Sequence, residues 1–155
     1  MRLVRVRIED ADERGAIFTG SRLRVVVDYE ADRSLRFARF LVTVNDEDYT
    51  GIFVLDSQAE GGLPETLPAT GSVSCTTEPI QVTPGKCFVN VSVLRGGKMA
   101  DRVEYAAPFT VEADAFYSSG TMPPREWVLT VRRHQWAITT AGPGHTPEPS
   151  RDARS

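Results

Sequence analysis

Residues 88–93 read Phe-Val-Asn-Val-Ser-Val. From Val89 onward the alternation of apolar and polar residues is the period of a strand with two unlike faces. Val89, Val91 and Val93 therefore belong to a dry face, and Phe88, Asn90 and Ser92 to the opposite one. The same period recurs upstream, where Leu23, Val25, Val27 and Tyr29 share one face while Arg22, Arg24 and Asp28 turn the other way. Near the N-terminus, Val4, Val6 and Ile8 alternate with Arg5, Arg7 and Glu9. Further runs at 37–44, 52–55, 73–78, 102–111 and 127–133 bring the count to about eight short strands. Composition agrees: seventeen Val and fourteen Thr stand against nine Leu, and branched Cβ atoms suit a pleated surface better than a helix.

Turn clusters at Asp46-Glu47-Asp48, Gly61-Gly62, Thr83-Pro84-Gly85 and Arg95-Gly96-Gly97 are spaced as the hairpins and crossings of a sandwich require. The expected fold is all-β, an immunoglobulin-like antiparallel β-sandwich. The antibody-type variant is not indicated, because Cys75 and Cys87 lie close together with no Trp between them. With 155 residues the chain holds one domain: a β-sandwich body over 1–112, a connector over 113–124, a C-terminal strand over 125–138 and a disordered tail over 139–155. A last strand on a long tether can dock on its own sheet or be exchanged in a dimer. Residues 56–68, rich in Gly, Pro and Glu, read as a surface loop. A hairpin centred on 80–82 would set Cys75 almost opposite Cys87, both pointing inward. A reducing compartment would keep them as packed thiols, and export would favour a disulfide.

Apolar residues make up 41% of the chain and charged ones 25%, with a net charge of −3. Sixteen Arg and two Lys are scattered among acids, so no phosphate-tracking stripe forms and nucleic acid is not an expected partner. No apolar run is long enough for a membrane helix. The first nine residues alternate instead of forming a leader, so the chain reads as cytoplasmic. Phosphate-binding loops, dinucleotide fingerprints, zinc-protease helices and nucleophile elbows are all missing. His134 beside Trp136 and His145 in the tail are not held where a nucleophile would need them. Asp46, Glu47 and Asp48 read as a solvated hairpin tip, and Glu9, Asp10, Asp12 and Glu13 as a turn; neither has the spacing of a calcium loop. The expectation is no enzyme, no metal and no cofactor. A glycan-processing enzyme would need two carboxylates converging in a pocket.

The order of elements resembles the C-terminal carbohydrate-binding domain of Wzt-type proteins, the ATP-binding subunits of bacterial ABC exporters for O-antigen and related polysaccharides. The resemblance rests on Phe18-Thr19-Gly20 before the strand at 23–29, Phe40, the run Pro84-Gly85-Lys86-Cys87-Phe88-Val89, Pro108-Phe109-Thr110-Val111, and Gly120 ahead of Trp127 and Trp136. Val82 and Cys87 depart from the Leu and Tyr expected round Gly85, and the family's preceding ATP-binding domain is missing from this sequence. The resemblance implies a non-catalytic module recognising a lipid-linked polysaccharide. Its partners would be the exporter's nucleotide-binding and membrane subunits and a second copy in a homodimer, at the inner membrane periphery. No binding motif of the family carries over residue by residue.

Binding positions must come from geometry. In an immunoglobulin-like order the strands at 37–44, 87–94 and 102–111 share a sheet. Phe40, Val42, Val44, Val103 and Tyr105 are expected to point inward. The outer face then gathers Arg39, Thr43, Asn90, Ser92, Arg102 and Glu104 around Phe88. Sugars present apolar C–H faces ringed by hydroxyls, so an aromatic platform with amide, carboxylate and guanidinium neighbours is the expected carbohydrate-binding surface. The alternative is a structural or protein-interaction sandwich of the adhesin or assembly type, for which the same face is ordinary surface.

Overall fold

A computed structural model describes residues 1–140. Strand β1 (Arg2–Asp10) pairs with β3 (Leu23–Glu30), which pairs in turn with β8 (Thr70–Thr76), making a three-stranded sheet. The facing sheet has five strands in the order β2-β10-β9-β5-β6, built from β2 (Ile17–Phe18), β5 (Ala38–Asp46), β6 (Gly51–Asp56), β9 (Gly85–Arg95) and β10 (Lys98–Glu112). A two-stranded piece, β4 (Leu35–Arg36) with β7 (Thr66–Leu67), completes the strands of the described residues. Pairing is antiparallel except between β2 and β10, which run parallel. The all-β sandwich expected from the alternation is the fold observed, with no helix among the described residues.

The core lies between the layers. Leu23, Val25, Val27 and Tyr29 of β3 meet Phe40, Val42 and Val44 of β5 and Val89, Val91 and Val93 of β9, and all ten are buried. Each such side chain withdrawn from water contributes roughly 1.5–3 kcal/mol before entropy is counted. The Tyr29 hydroxyl, carried into this interior, donates to the Pro68 carbonyl at 2.8 Å.

Four expectations need correction. Val4 is 52% exposed, whereas Leu3 is buried. A bulge lies between Leu3, opposite Tyr29, and Arg5, opposite Asp28, so the extra residue flips and Leu3, Val6 and Ile8 form the packed face. Tyr105 points outward for the same kind of reason. Val103 pairs with Val91 and Ala107 with Val89, so four steps on β10 oppose two on β9.

The cysteines are not opposite one another. Cys75 pairs with Val25 in the three-stranded sheet and Cys87 with Asp46 in the other, because residues 77–84 cross between layers. Backbone bonds from Gly20 to Ile80 and from Ile80 to Ser21 pin that crossing. Both thiols are free; Cys75 is exposed and Cys87 buried.

Finally, residues 127–133 are not a strand. One bridge, Val82 with Thr130, and bonds Thr83 N–H to Leu129 and Val131 N–H to Gln81 lay this segment along the crossing of its own chain. Arg125 anchors it by donating to the carbonyls of Lys86 and Thr83 at 2.6 and 2.8 Å. Of the expected tail, residues 141–155, His145 included, lie outside the described residues.

Candidate functional site

The outer face of the five-stranded sheet is built from register. On β5 and β9, Arg39 lies opposite Leu94, Leu41 opposite Ser92, Thr43 opposite Asn90 and Asn45 opposite Phe88. On β10, Arg102 lies opposite Ser92 and Pro108 opposite Phe88. Arg39, Thr43, Phe88, Asn90, Ser92 and Arg102 thus share one face, with Glu104 in the β10 bulge at its edge.

Phe88 is not an open platform. Its ring is 1% exposed although it stands outside the core cluster, because two tyrosines cover it. Tyr49 packs edge-on with centroids 5.1 Å apart, and Tyr105 lies tilted by 30° at 4.5 Å. These tyrosines, 74% and 55% exposed, are the aromatic surface that water meets. Sequence reading missed both as site residues.

Both sit in the left-handed region, at φ 63 for Tyr49 and 53 for Tyr105, a conformation L-residues with side chains seldom adopt without support. Support is visible in each case. The Asp46 carboxylate accepts from the N–H groups of Asp48 at 3.0 Å and Thr50 at 2.8 Å, closing the β5–β6 turn that presents Tyr49. Asp46 is accordingly buried, unlike the solvated tip expected of the cluster. The Tyr105 N–H, which has no ladder partner in the bulge, donates to Oδ1 of Asn90 at 2.8 Å. Asn90 therefore positions an aromatic ring, besides offering its amide to a ligand. A clue lay in Pro108, which can donate no ladder bond and favours bulged or edge segments.

The charged members are already paired. Arg39 grips Asp56 of β6 through Nε at 3.0 Å and Nη2 at 2.6 Å. These hydrogen bonds hold the Asp56 carboxyl below its ordinary range and raise the Arg39 guanidinium. Arg102 meets Glu104 at 3.2 Å with both side chains largely in water, a pairing that contributes little stability. No cluster of metal-ligating side chains occurs among the described residues.

A second concavity, about 510 Å³, opens between the sheet edges at β6 and β8 under residues 57–63. Core valines, Phe40 and Leu63 line most of it, with Ser57, Glu60, Ser74 and Cys75 among them and Asp56 already committed to Arg39.

The family model described as the Wzt C-terminal domain matches residues 1–122. A solved structure described as the crystal structure of the C-terminal domain of wzt superposes with a TM-score of 0.65 at 10% identity, covering 89% of this chain and 83% of that one. No curated protein matches.

Proposed function

We propose, from the premise that this chain belongs to the Wzt C-terminal domain family, that it is a non-catalytic carbohydrate-binding module recognising a lipid-linked, O-antigen-like polysaccharide for ABC-transporter export. One observation carries the reading. Two exposed tyrosines are held in strained conformations over a buried phenylalanine, amid Thr43, Asn90, Ser92 and the Arg102–Glu104 pair. Strain of this kind costs of order 1–3 kcal/mol each, and an exposed ring is the return on it. Flat aromatic faces take the C–H side of a pyranose, while hydroxyl, amide and guanidinium groups around them bond its rim. Glu104, 72% exposed, lies beside Arg102 at 3.2 Å, so the two together offer an acceptor and a donor to a sugar's hydroxyls.

The wider assembly follows as part of the same reading. No helix among the described residues is long and apolar enough to cross a membrane, and we place the domain on the cytoplasmic side, peripheral to the inner membrane through the exporter's subunits. Trp136 and Ile138, 90% and 94% exposed beyond the docked Val131, are apolar surface that a protein partner would cover. A second copy in a homodimer is the partner we assign. Pairing two shallow sites on one multivalent glycan can raise the grip by about 10² to 10⁴.

The test is calorimetric titration with fragments of the source organism's own surface polysaccharide. Wild-type protein should bind; Y49A and Y105A should each weaken binding at least about tenfold, roughly 1.4 kcal/mol. Unchanged affinity in both variants would remove the site, and absence of binding by the wild type would remove the function.

A further inference from the structure

The same outer face carries an aromatic station at its other end. Phe37 has φ 53 and is 58% exposed, so it repeats the two features that single out Tyr49 and Tyr105. It borders a shallow concavity of about 180 Å³ together with Arg39, Gln58, Leu94, Gly96 and Gly97. Its backbone is secured by an N–H bond to the Glu65 carbonyl at 2.8 Å, and the Arg36 guanidinium stands 5.2 Å from its ring centroid.

The floor is prepared for hydroxyls. Asp56 fixes the Arg39 guanidinium through Nε and Nη2, and among the described residues Nη1 has no protein partner. The Gln58 side chain is exposed beside it. Gly96 and Gly97 turn at positive φ, with no atom within 4 Å of where a Cβ would stand, so the rim beside Leu94 is bare backbone.

Distance connects the two stations. Phe88 and Leu94 point to the same side of β9 six residues apart, which at about 3.3 Å per residue is roughly 20 Å. Between them run Asn90 and Ser92, flanked by Thr43, Leu41 and Arg102, a polar track without a charge left unpaired. We propose that the Phe37 concavity is a second sugar subsite, so that the sheet binds several sugar units along β9 and is not limited to a sugar at the tyrosines. This rests on the carbohydrate-binding reading given above.

The experiment titrates size-graded fragments of the source organism's surface polysaccharide, from disaccharide upward, against wild type, F37G and Q58A. Glycine accepts positive φ, so F37G removes the ring without forcing the backbone, and thermal melting confirms that it folds. If F37G does not fold, Q58A, altered only at an exposed side chain, supplies the same reading. For wild type the affinity should rise about tenfold or more once fragments span roughly 20 Å, because a second contact on a tethered chain acts at high effective concentration. In F37G the ratio of long- to short-fragment affinity should fall to about one. A ratio kept intact in both variants, or a flat length dependence in wild type, overturns the second subsite while leaving the tyrosine site standing. If Y49A and Y105A bind every fragment as wild type does, the tyrosine site is what fails. Silence of the wild type toward every fragment overturns the functional reading and the subsite with it.

Discussion

Replacing Tyr105 by Ala and by Gly separates strain from contact. Both substitutions delete the ring lying 4.5 Å from Phe88, a pairing worth about 0.5–1.5 kcal/mol beyond its buried area. Only glycine also relieves the backbone at φ 53, where an L-residue with a side chain costs roughly 1–2 kcal/mol. In an ordinary strand Gly is less stable than Ala by about 0.5–1 kcal/mol. Here the order should invert, leaving Y105G ahead of Y105A by up to about 1.5 kcal/mol. Urea denaturation followed by far-ultraviolet circular dichroism measures the gap, provided the slopes agree so that the midpoints report stability alone. Both variants should lose glycan affinity alike, since neither has the ring. If Y105A proves as stable as Y105G or more so, the bulge holds Tyr105 without strain, and the inference from backbone to function loses its footing.

Three further outcomes follow from the same contacts. Asp56 is held below the usual carboxylate range chiefly by its hydrogen bond from Arg39. Its contribution is therefore present above the unfolded value of about 3.9 and fades as pH falls through the lower folded value. D56N should be less stable than wild type near pH 7, and the difference should shrink to nothing in acid; a gap independent of pH contradicts the pairing. A Cβ at Gly85, where φ is +150, would occupy the place of the Arg125 guanidinium, so G85A should cost about 1–3 kcal/mol in lost charge-assisted bonds. In a double-mutant cycle G85A and R125A should couple strongly, and simple additivity would show that the two do not meet. Cys75 is exposed although its thiol faces the apolar cleft, and burial raises the pKa of both cysteines. Mild alkaline titration with a thiol reagent should modify one cysteine in the folded protein and two in denaturant; two reacting at equal rates in the folded protein would contradict the burial of Cys87.

The sandwich was legible because alternation runs through 23–29, with Val26 the one apolar residue facing out, and through 89–93, and in those stretches every inward residue landed in the core. Where one or two extra residues enter a strand, period 2 reads the wrong face, which is why Val4 and Tyr105 were assigned inward and are exposed. The three two-residue strands β2, β4 and β7 are too short to show any period. Residues 127–133 are apolar enough to suggest a strand, but a single bridge to Val82 is all the ladder they make, since the crossing they lie along is irregular. At the site, the strands carrying Arg39, Thr43, Phe88, Asn90, Ser92 and Arg102 were correctly grouped on one sheet face. Tyr49 and Phe37 escaped notice because their display depends on left-handed backbone in turns. That conformation is held by hydrogen bonds that periodicity does not encode, those to Asp46 within the turn for Tyr49 and the one to the distant Glu65 carbonyl for Phe37.

The most direct measurement is amide and aromatic chemical-shift mapping by NMR during titration with fragments of the source organism's surface polysaccharide. Perturbations should gather on Tyr49, Asn90 and Tyr105, extend along β9 toward Phe37 as fragments lengthen, and leave the sugar chemically unaltered at the end. Shifts confined to the three-stranded sheet or to the cleft beside Cys75, or fragments recovered cleaved, would contradict a tyrosine-presenting sheet face that holds glycans without transforming them.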